Sequence, residues 1–271
     1  MAVQPDWVPQ GIDTGKANVA RVYDYWLGGT NNFRADQDAA RAMLALDPDL
    51  RATMQANRAF LGRAVRYLAQ LGIRQFLDIG SGIPTARNVH EVAQEAAPGS
   101  RVVYCDIDDV AVAHSRLLLR GNPDAAVIQG DLREPDTILE DPMVRGMLDF
   151  TKPVAVLLLA VLHFLNDADD PWQTVTTLRE ALPPGSYLVI CHACRDAKPD
   201  IASATEKIYQ RRVASQVVLR PRVDIQRFFE GLDLVDPGLV WLPQWRPDNP
   251  AEVPDDPQKF WGLVGVGSLA T

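Results

Sequence analysis

The stretch Phe76–Thr85, FLDIGSGIPT, constrains the fold more than any other part of the chain. A short apolar run ends at the acid Asp78 and is followed by the turn Gly80-Ser81-Gly82 and a helical pattern. A strand, a glycine turn and a helix in this order bring backbone N–H groups to a ligand at the carboxyl edge of an α/β sheet. Glycine suits this turn because it tolerates a positive φ and has no side chain to hold a ligand away. The stretch therefore predicts a ligand site after the first strand, with the next helix beginning near Pro84.

Composition and charge limit the class of protein. The 271 residues, 47% hydrophobic and 23% charged, are enough for one large α/β domain with an appendage. A net charge of -8 argues against nucleic acid and anionic membranes as partners. The longest apolar run, Val154–Leu162, is too short to span a bilayer, so no membrane partner is expected. Three cysteines and no signal-peptide pattern indicate a cytoplasmic protein.

Residues 1–72 carry a helical pattern before the first predicted strand, and we interpret them as a helical N-terminal extension. Residues 1–16 are expected to be extended or poorly ordered. A short aromatic-rich helix is predicted over 17–27, a second around Ala39, and a long one from Asp47-Pro48 to Gln70. The extension is either a lid, with Tyr23 facing the ligand, or a helical layer whose aromatic residues pack on the domain formed by 73–271.

After the extension, predicted strands and helices alternate. Further strands are predicted at 101–105, 126–129, 154–160, 186–192, 234–242 and 260–267. Helices are predicted at 110–119, 135–147, 171–182, 203–213 and 224–230. The alternation predicts an α/β fold with a doubly wound, mostly parallel seven-stranded sheet. Because no helix separates the last two strands, they are expected to form an antiparallel C-terminal hairpin.

Three acids follow or end three successive predicted strands: Asp78, Asp106 and Asp131. In a doubly wound sheet these carboxyl ends line one crevice. A carboxylate after the second strand can accept from both ribose hydroxyls, and one after the third can accept from the amine of adenine. The three acids therefore predict a nucleoside ligand.

Two nucleoside cofactors fit such a crevice, NAD and S-adenosylmethionine. NAD favours G-x-G-x-x-G, but Thr85 stands where the third glycine would be and Pro84 precedes it. S-adenosylmethionine carries an ammonium and a sulfonium and no phosphate, so an acidic crevice suits it better. The sequence favours S-adenosylmethionine as the cofactor and disfavours an NAD-dependent oxidoreductase.

Four stretches resemble class I S-adenosylmethionine-dependent methyltransferases, which have a Rossmann-like fold. They are Phe76–Thr85 for the first motif, Tyr104–Asp108 for the ribose-binding strand end, Gly130–Leu132 for the adenine-binding turn, and Leu157–Leu165 for the segment beside the methyl-transfer centre. Over nearly its whole length the chain also resembles a bacterial family named S-adenosyl methyltransferase. That resemblance includes ARVYDYWLGG at 20–29, NVHEVAQ at 88–94 and RPR at 220–222.

The resemblance implies contacts along the whole cofactor. It assigns the methionine portion to Gly80, Ser81 and Gly82, the ribose to Asp106, the adenine to Ile107, Asp131 and Leu132, and the sulfonium to Ala160 and Val161. His163, just after the fourth strand, is a candidate general base or a structural histidine. The pattern Cys191-His192-Ala193-Cys194 lacks a second cysteine pair, so no metal is expected.

The predicted function is methyl transfer to an O, N or C nucleophile of a small molecule, which leaves S-adenosylhomocysteine. The alternative is a regulatory or scaffold protein that binds S-adenosylmethionine without transferring its methyl group.

Overall fold

The structure is a computed structural model that describes residues 13–84 and 87–270. Thr85 and most of the 1–16 segment, which was expected to be extended, lie outside the described residues. The strands are β1 (Gln75–Ile79), β2 (Arg101–Asp106), β3 (Ala125–Gln129), β4 (Ala155–Leu159), β5 (Tyr187–Ala193), β6 (Asp233–Leu234), β7 (Val240–Trp241) and β8 (Gly262–Ser268). The α-helices are α1 (Val19–Trp26), α2 (Arg34–Leu46), α3 (Leu50–Gln70), α4 (Val89–Ala96), α5 (Asp109–Leu118), α6 (Pro135–Glu140), α7 (Pro142–Met147), α8 (Pro171–Glu180), α9 (Pro199–Arg212) and α10 (Arg222–Arg227).

The strands form one sheet in the order β3-β2-β1-β4-β5-β8-β6, and β7 also pairs with β8. Strands β1 to β5 are parallel, whereas β8 is antiparallel to β5. This confirms the doubly wound, mostly parallel sheet. The strand order reverses at β1 and β4, and in open α/β sheets the ligand crevice lies outside the carboxyl ends of the strands at such a point.

The C-terminal hairpin differs from the predicted one, because the strand predicted over 234–242 is two short strands. Both β6 and β7 pair antiparallel with β8, one through Leu234 and Gly267 and the other through Val240 and Val264. Asp236-Pro237-Gly238 separates them, and proline has no N–H to donate to a sheet. The sheet therefore has eight strands rather than seven.

Several helix boundaries also differ from the predicted ones, and two of the differences have a clear local cause. The helix after the glycine turn begins at Val89, not near Pro84, because Asn88 and Glu91 form a capping box in which the Asn88 N–H donates to Glu91 Oε2 at 2.6 Å. The helix predicted over 135–147 is two helices, α6 and α7. Asp141 caps α7 through its side chain, and Pro142, which cannot continue α6, takes the first position.

The sheet is covered on both faces, and a third apolar cluster joins the extension to α9. Helix α3 packs over one face through Phe60 and Leu68. The third cluster contains Val22 of α1, Met43 of α2 and Tyr209 of α9. Each fully buried side chain of this kind contributes about 1.5–3 kcal/mol. Among the described residues, no helix is long and apolar enough to cross a membrane.

Polar contacts hold the first two helices in the same place. Arg21 and Asp36 form a buried ion pair with an Nε–Oδ2 distance of 3.1 Å. Lys198 Nζ, just before α9, donates to Asp47 Oδ1 at 2.8 Å. An isolated parallel bridge joins Ala17 to Val213. These contacts and the third cluster fix α1 and α2 against α9.

Candidate functional site

A cavity of about 730 Å³ lies at the carboxyl edge of the sheet. This volume is within the range of about 300–1,000 Å³ that is usual for small-molecule sites. The ends of β1, β2, β3 and β4 form one side, and α1, α3 and α9 contribute to the other. Every candidate site residue from the sequence lines it: Tyr23, Asp78, Gly80, Ser81, Gly82, Asp106, Ile107, Asp131, Leu132, Ala160, Val161 and His163. Their common location makes a shared role possible, while the role of each residue stays a prediction.

Both glycines of the turn have positive φ, +75° at Gly80 and +67° at Gly82. A Cβ at Gly80 would lie 2.4 Å from Val161 Cγ2, whereas one at Gly82 would meet no atom of the described residues within 4 Å. Glycine is needed at position 80 because the turn passes close beside Val161. A side chain added there would first contact Val161 rather than enter the space available to a ligand.

Asp106 ties the end of β2 to the glycine turn. Its Oδ2 accepts from the Gly82 N–H at 2.6 Å, and its Oδ1 accepts from the Asp108 N–H at 2.9 Å. Burial raises the pKa of Asp106 to about 6, although these hydrogen bonds act against the rise. Each carboxylate oxygen has a second lone pair, so Asp106 can still accept from ligand hydroxyls.

Asp78 and Arg58 place opposite charges at the same end of the cavity. Burial raises the pKa of Asp78 to about 7, while the charge of Arg58 lowers it and that of Asp106 raises it. Arg58 lies on α3, and its Nη2 donates to the carbonyl of Arg87 at 3.0 Å, just before the cap of α4. Sequence reasoning missed Arg58 because it belongs to no motif and lies 20 residues before Asp78 in the sequence. The pair suits a ligand that carries an ammonium and a carboxylate.

The rim at β2 and β3 combines apolar surface with a fixed carboxylate. Ile107 is 52% exposed and Leu132 is buried, and both line the cavity. Arg133 Nε donates to Asp131 at 2.9 Å, and this contact lowers the pKa of Asp131. Asp131 is therefore ionised at neutral pH and can accept a hydrogen bond from a base whose faces contact apolar side chains.

The segment after β4 carries His163 and a strained backbone. Ala160 has φ +57°, a left-handed conformation that is costly for a residue with a Cβ and that clusters at functional sites. Burial and the charge of Arg220 lower the pKa of His163 to about 3. His163 is therefore neutral at pH 7, and its buried Nδ1 has no hydrogen-bond partner among the described residues. It can accept or donate a hydrogen bond but holds a second proton only weakly.

Tyr23 and Asn57 bring the extension to the cavity. Asn57 Nδ2 donates to the Tyr23 hydroxyl at 3.0 Å. Burial raises the pKa of Tyr23 to about 12, so its hydroxyl stays protonated at neutral pH. Asn57, like Arg58, was not identified from the sequence because it lies inside a long helix without a motif.

The doubly wound sheet, its antiparallel closing strand and the acidic crevice beside a glycine turn define a class I methyltransferase-like fold. The chain belongs to the S-adenosyl methyltransferase family, whose profile matches residues 5–270. This confirms the family and the fold expected from the sequence motifs. Membership supports S-adenosylmethionine as the cofactor.

Two crystal structures are similar over nearly the whole chain. One is described as a "putative methyltransferase" from Thermobifida fusca, with 40% identity, a TM-score of 0.91, and coverage of 98% of this chain and 100% of that chain. The other is a DUF574 family protein from Streptomyces avermitilis, with 40% identity, a TM-score of 0.90, and coverage of 95% and 99%. An O-methyltransferase family protein from Burkholderia thailandensis, with 13% identity, a TM-score of 0.51, and coverage of 82% and 61%, shares the fold alone. No curated protein matches the chain.

The residues present fit S-adenosylmethionine on structural grounds. Asp78 and Arg58 offer opposite charges to the amino-acid group, and Asp106 offers carboxylate oxygens to hydroxyls. Ser81 Oγ is buried without a hydrogen-bond partner among the described residues, so it is available to a ligand. A dinucleotide would instead bring a pyrophosphate to a turn flanked by Asp78 and Asp106, where like charges oppose it.

Proposed function

We propose that this protein transfers a methyl group from S-adenosylmethionine to an O, N or C nucleophile of a small molecule. One observation carries the proposal: a single cavity joins the glycine turn to the inner surface of the N-terminal helices. A nucleophile held against those helices would therefore face the cofactor without crossing solvent.

The proposed binding residues divide among the parts of the cofactor. Arg58 would hold the carboxylate and Asp78 the ammonium, while the backbone from Gly80 to Gly82 would lie along the methionine portion. Asp106 would accept from the ribose hydroxyls. Ile107, Asp131 and Leu132 would contact the adenine, and Ala160 and Val161 would lie beside the sulfonium.

When bound, the cofactor supplies a methyl carbon that accepts the nucleophile's electron pair while the carbon–sulfur pair returns to sulfur, giving the neutral thioether S-adenosylhomocysteine. The protein's part is chiefly orientation, which can contribute about 7–11 kcal/mol. His163, neutral at pH 7, would accept a hydrogen bond from the acceptor and orient its lone pair. The nucleophile's proton would leave to bulk solvent outside the closed site, because His163 retains a proton too weakly to store it.

The helical extension would belong to the same site. Residues 1–72 would cover the domain formed by 73–271, with Tyr23 and Asn57 facing the cavity. Exclusion of water would protect the methyl group from unwanted nucleophiles.

The alternative is a regulatory or scaffold protein that binds S-adenosylmethionine without transfer. The low pKa of His163 favours it, because a strong base at this position is then missing. Calorimetric titration with S-adenosylmethionine, S-adenosylhomocysteine and NAD separates the cofactor classes, and we expect only the first two to bind. Release of S-adenosylhomocysteine with a panel of phenols, amines and carbon acids then tests transfer. Binding of NAD alone would contradict the proposed cofactor, and binding without turnover on the panel would favour the alternative.

A further inference from the structure

The cavity extends well beyond the residues proposed for the cofactor. Its far end is lined by α1 to α3, by the 163–166 segment, by α9 with the 214–219 segment, and by the loop before β8. The extension and the α9 region, which are distant in sequence, thus contribute to this end together with the 163–166 segment and the loop before β8. Of the stretches that carry the methyltransferase resemblance, ARVYDYWLGG at 20–29 lies in the extension and Leu157–Leu165 reaches the 163–166 segment, whereas none lies in α9.

In addition to His163 Nδ1, three side chains in this end carry buried polar atoms that the described residues do not pair. They are Asp47 Oδ2, Asn57 Oδ1 and Trp261 Nε1, none with a hydrogen-bond partner among the described residues. Asp47 is 2% exposed, Asn57 is 6% and Trp261 is 5%. A buried polar group without a partner is unfavourable, so a ligand that pairs these atoms binds with an advantage. The first two atoms accept hydrogen bonds, whereas the indole N–H only donates.

The charge of this end opposes anions. Asp47 already neutralises Lys198 through Oδ1, so the cation is not available to a ligand. An added carboxylate or phosphate would place a second negative charge near the buried Asp47 side chain. A hydroxyl, by contrast, can donate to either free acceptor.

The remaining wall combines polar residues, such as Thr205 and Gln216, with apolar side chains and rings. The rings of Phe164 and Tyr209 lie 5.9 Å apart between centroids, and those of His163 and Phe164 lie 4.5 Å apart. Met43 and Met54 add flexible apolar surface. Aromatic ligands pack well on such walls because offset and edge-to-face ring contacts are favourable.

We propose that the far end binds the methyl acceptor, and that the acceptor is an uncharged, planar aromatic compound with a hydroxyl group and a second oxygen that accepts a hydrogen bond. Its hydroxyl donates towards Asn57 or Asp47, its other oxygen accepts from Trp261 Nε1, and the group that receives the methyl is a separate nucleophile that faces His163. This inference rests on the proposed function, because it assigns the second substrate of the same cavity.

The test uses 7-hydroxycoumarin, which has a hydroxyl at one end and a carbonyl at the other. Calorimetry at pH 6.5 in the presence of saturating S-adenosylhomocysteine compares it with coumarin, which lacks the hydroxyl, and with coumarin-3-carboxylate, which is anionic. We expect 7-hydroxycoumarin to bind most tightly and the carboxylate most weakly. This comparison needs no variant, so it holds whether or not a substitution disturbs folding.

A matched pair of variants tests the indole N–H. Trp261→Phe removes it from the cavity. Trp245→Phe removes an indole N–H that is also buried and has no partner among the described residues but lies outside the cavity lining. We expect Trp261→Phe to lower the affinity for 7-hydroxycoumarin about 2- to 12-fold, the range for one neutral hydrogen bond. Trp245→Phe should leave this affinity unchanged.

Equal effects of the two variants, equal affinity for coumarin, or tighter binding of the carboxylate would each overturn the inference. A separate titration with S-adenosylhomocysteine distinguishes the two levels of proposal. If that ligand binds and 7-hydroxycoumarin does not, only the acceptor class is wrong. If S-adenosylhomocysteine does not bind, the proposed function itself is wrong.

Discussion

Arg58 gives the sharpest test of the cofactor orientation. Replacing it by glutamine removes the positive charge proposed to hold the methionine carboxylate. It also removes the charge that lowers the pKa of Asp78, so Asp78 becomes more protonated and a weaker partner for the ammonium. A hydrogen bond to a charged group contributes about 1.5–3 kcal/mol, which corresponds to about a 10- to 150-fold loss of affinity.

The assay compares S-adenosylhomocysteine with 5'-methylthioadenosine, which has the same adenosine and thioether but no amino-acid group. Calorimetry should show the loss for Arg58→Gln with the first ligand only. Arg133→Gln is the matched control, since it removes a guanidinium from the adenine end and should change both affinities by the same factor. Arg58→Lys, which keeps the charge but loses the planar fork, should fall between Arg58→Gln and the unmodified protein.

Two results would refute this reasoning. Equal losses for both ligands would mean that Arg58 supports the glycine turn or the cap of α4 rather than the amino-acid group. An unchanged affinity for S-adenosylhomocysteine would remove Arg58 from the site. Thermal unfolding of each variant shows whether the fold is intact before the affinities are compared.

Three further predictions concern the crevice. Asp106→Ala should weaken S-adenosylhomocysteine and 5'-methylthioadenosine alike, by about tenfold or more, and unchanged calorimetric affinities would exclude it from the ribose site. Gly80→Ala should lower the melting temperature more than Gly82→Ala. Both substitutions cost about 1–2 kcal/mol because of the positive φ, but only the methyl group added at Gly80 also collides with Val161. Equal melting temperatures would contradict this. Because its pKa is raised, Asp78 stays protonated in the ligand-free fold, whereas in the unfolded chain it loses its proton above about pH 3.8. The stability of the fold therefore falls as pH rises towards 7. Between pH 5 and 8, chemical unfolding should show a smaller fall in the free energy of unfolding for Asp78→Asn than for the unmodified protein. The full contribution of Asp78 across its pKa shift is about 4 kcal/mol. An identical pH profile for the variant would contradict the raised pKa of Asp78.

The repeating core of the fold was predictable because its signals are local. Periodicity located α3 and the five parallel strands to within a few residues, although the N-cap of α3 is Asp49 rather than the predicted Asp47. The errors came where one residue decides a break: Pro142 divides a predicted helix, and Pro237 lies between β6 and β7. The start of α4 depended on the reciprocal bonds of Asn88 and Glu91, which are one of several caps that the sequence permits.

The candidate site was only half predictable, for a related reason. Acids and glycines that follow strands meet at one edge by topology, so their residues could be named in advance. Arg58, Asn57 and Trp261 reach the cavity only because α3 and the loop before β8 pack against that edge. Such contacts join segments that are far apart in the chain, so no fixed residue spacing in the sequence marks them.

The contacts between the extension and the α9 region have a consequence for how substrate specificity can change. If the acceptor lies at the far end of the cavity, its recognition depends mainly on residues 17–57 and 198–219, with Trp261 as a further contact, while the cofactor rests mainly on the strand ends. The Ala17–Val213 bridge and the Asp47–Lys198 ion pair cross between those two segments. A relative with a different acceptor could diverge in both segments and leave the glycine turn untouched. Chimeras that exchange one segment alone would bring together contact residues from different parents. Transfer of acceptor specificity therefore requires both segments from the same parent.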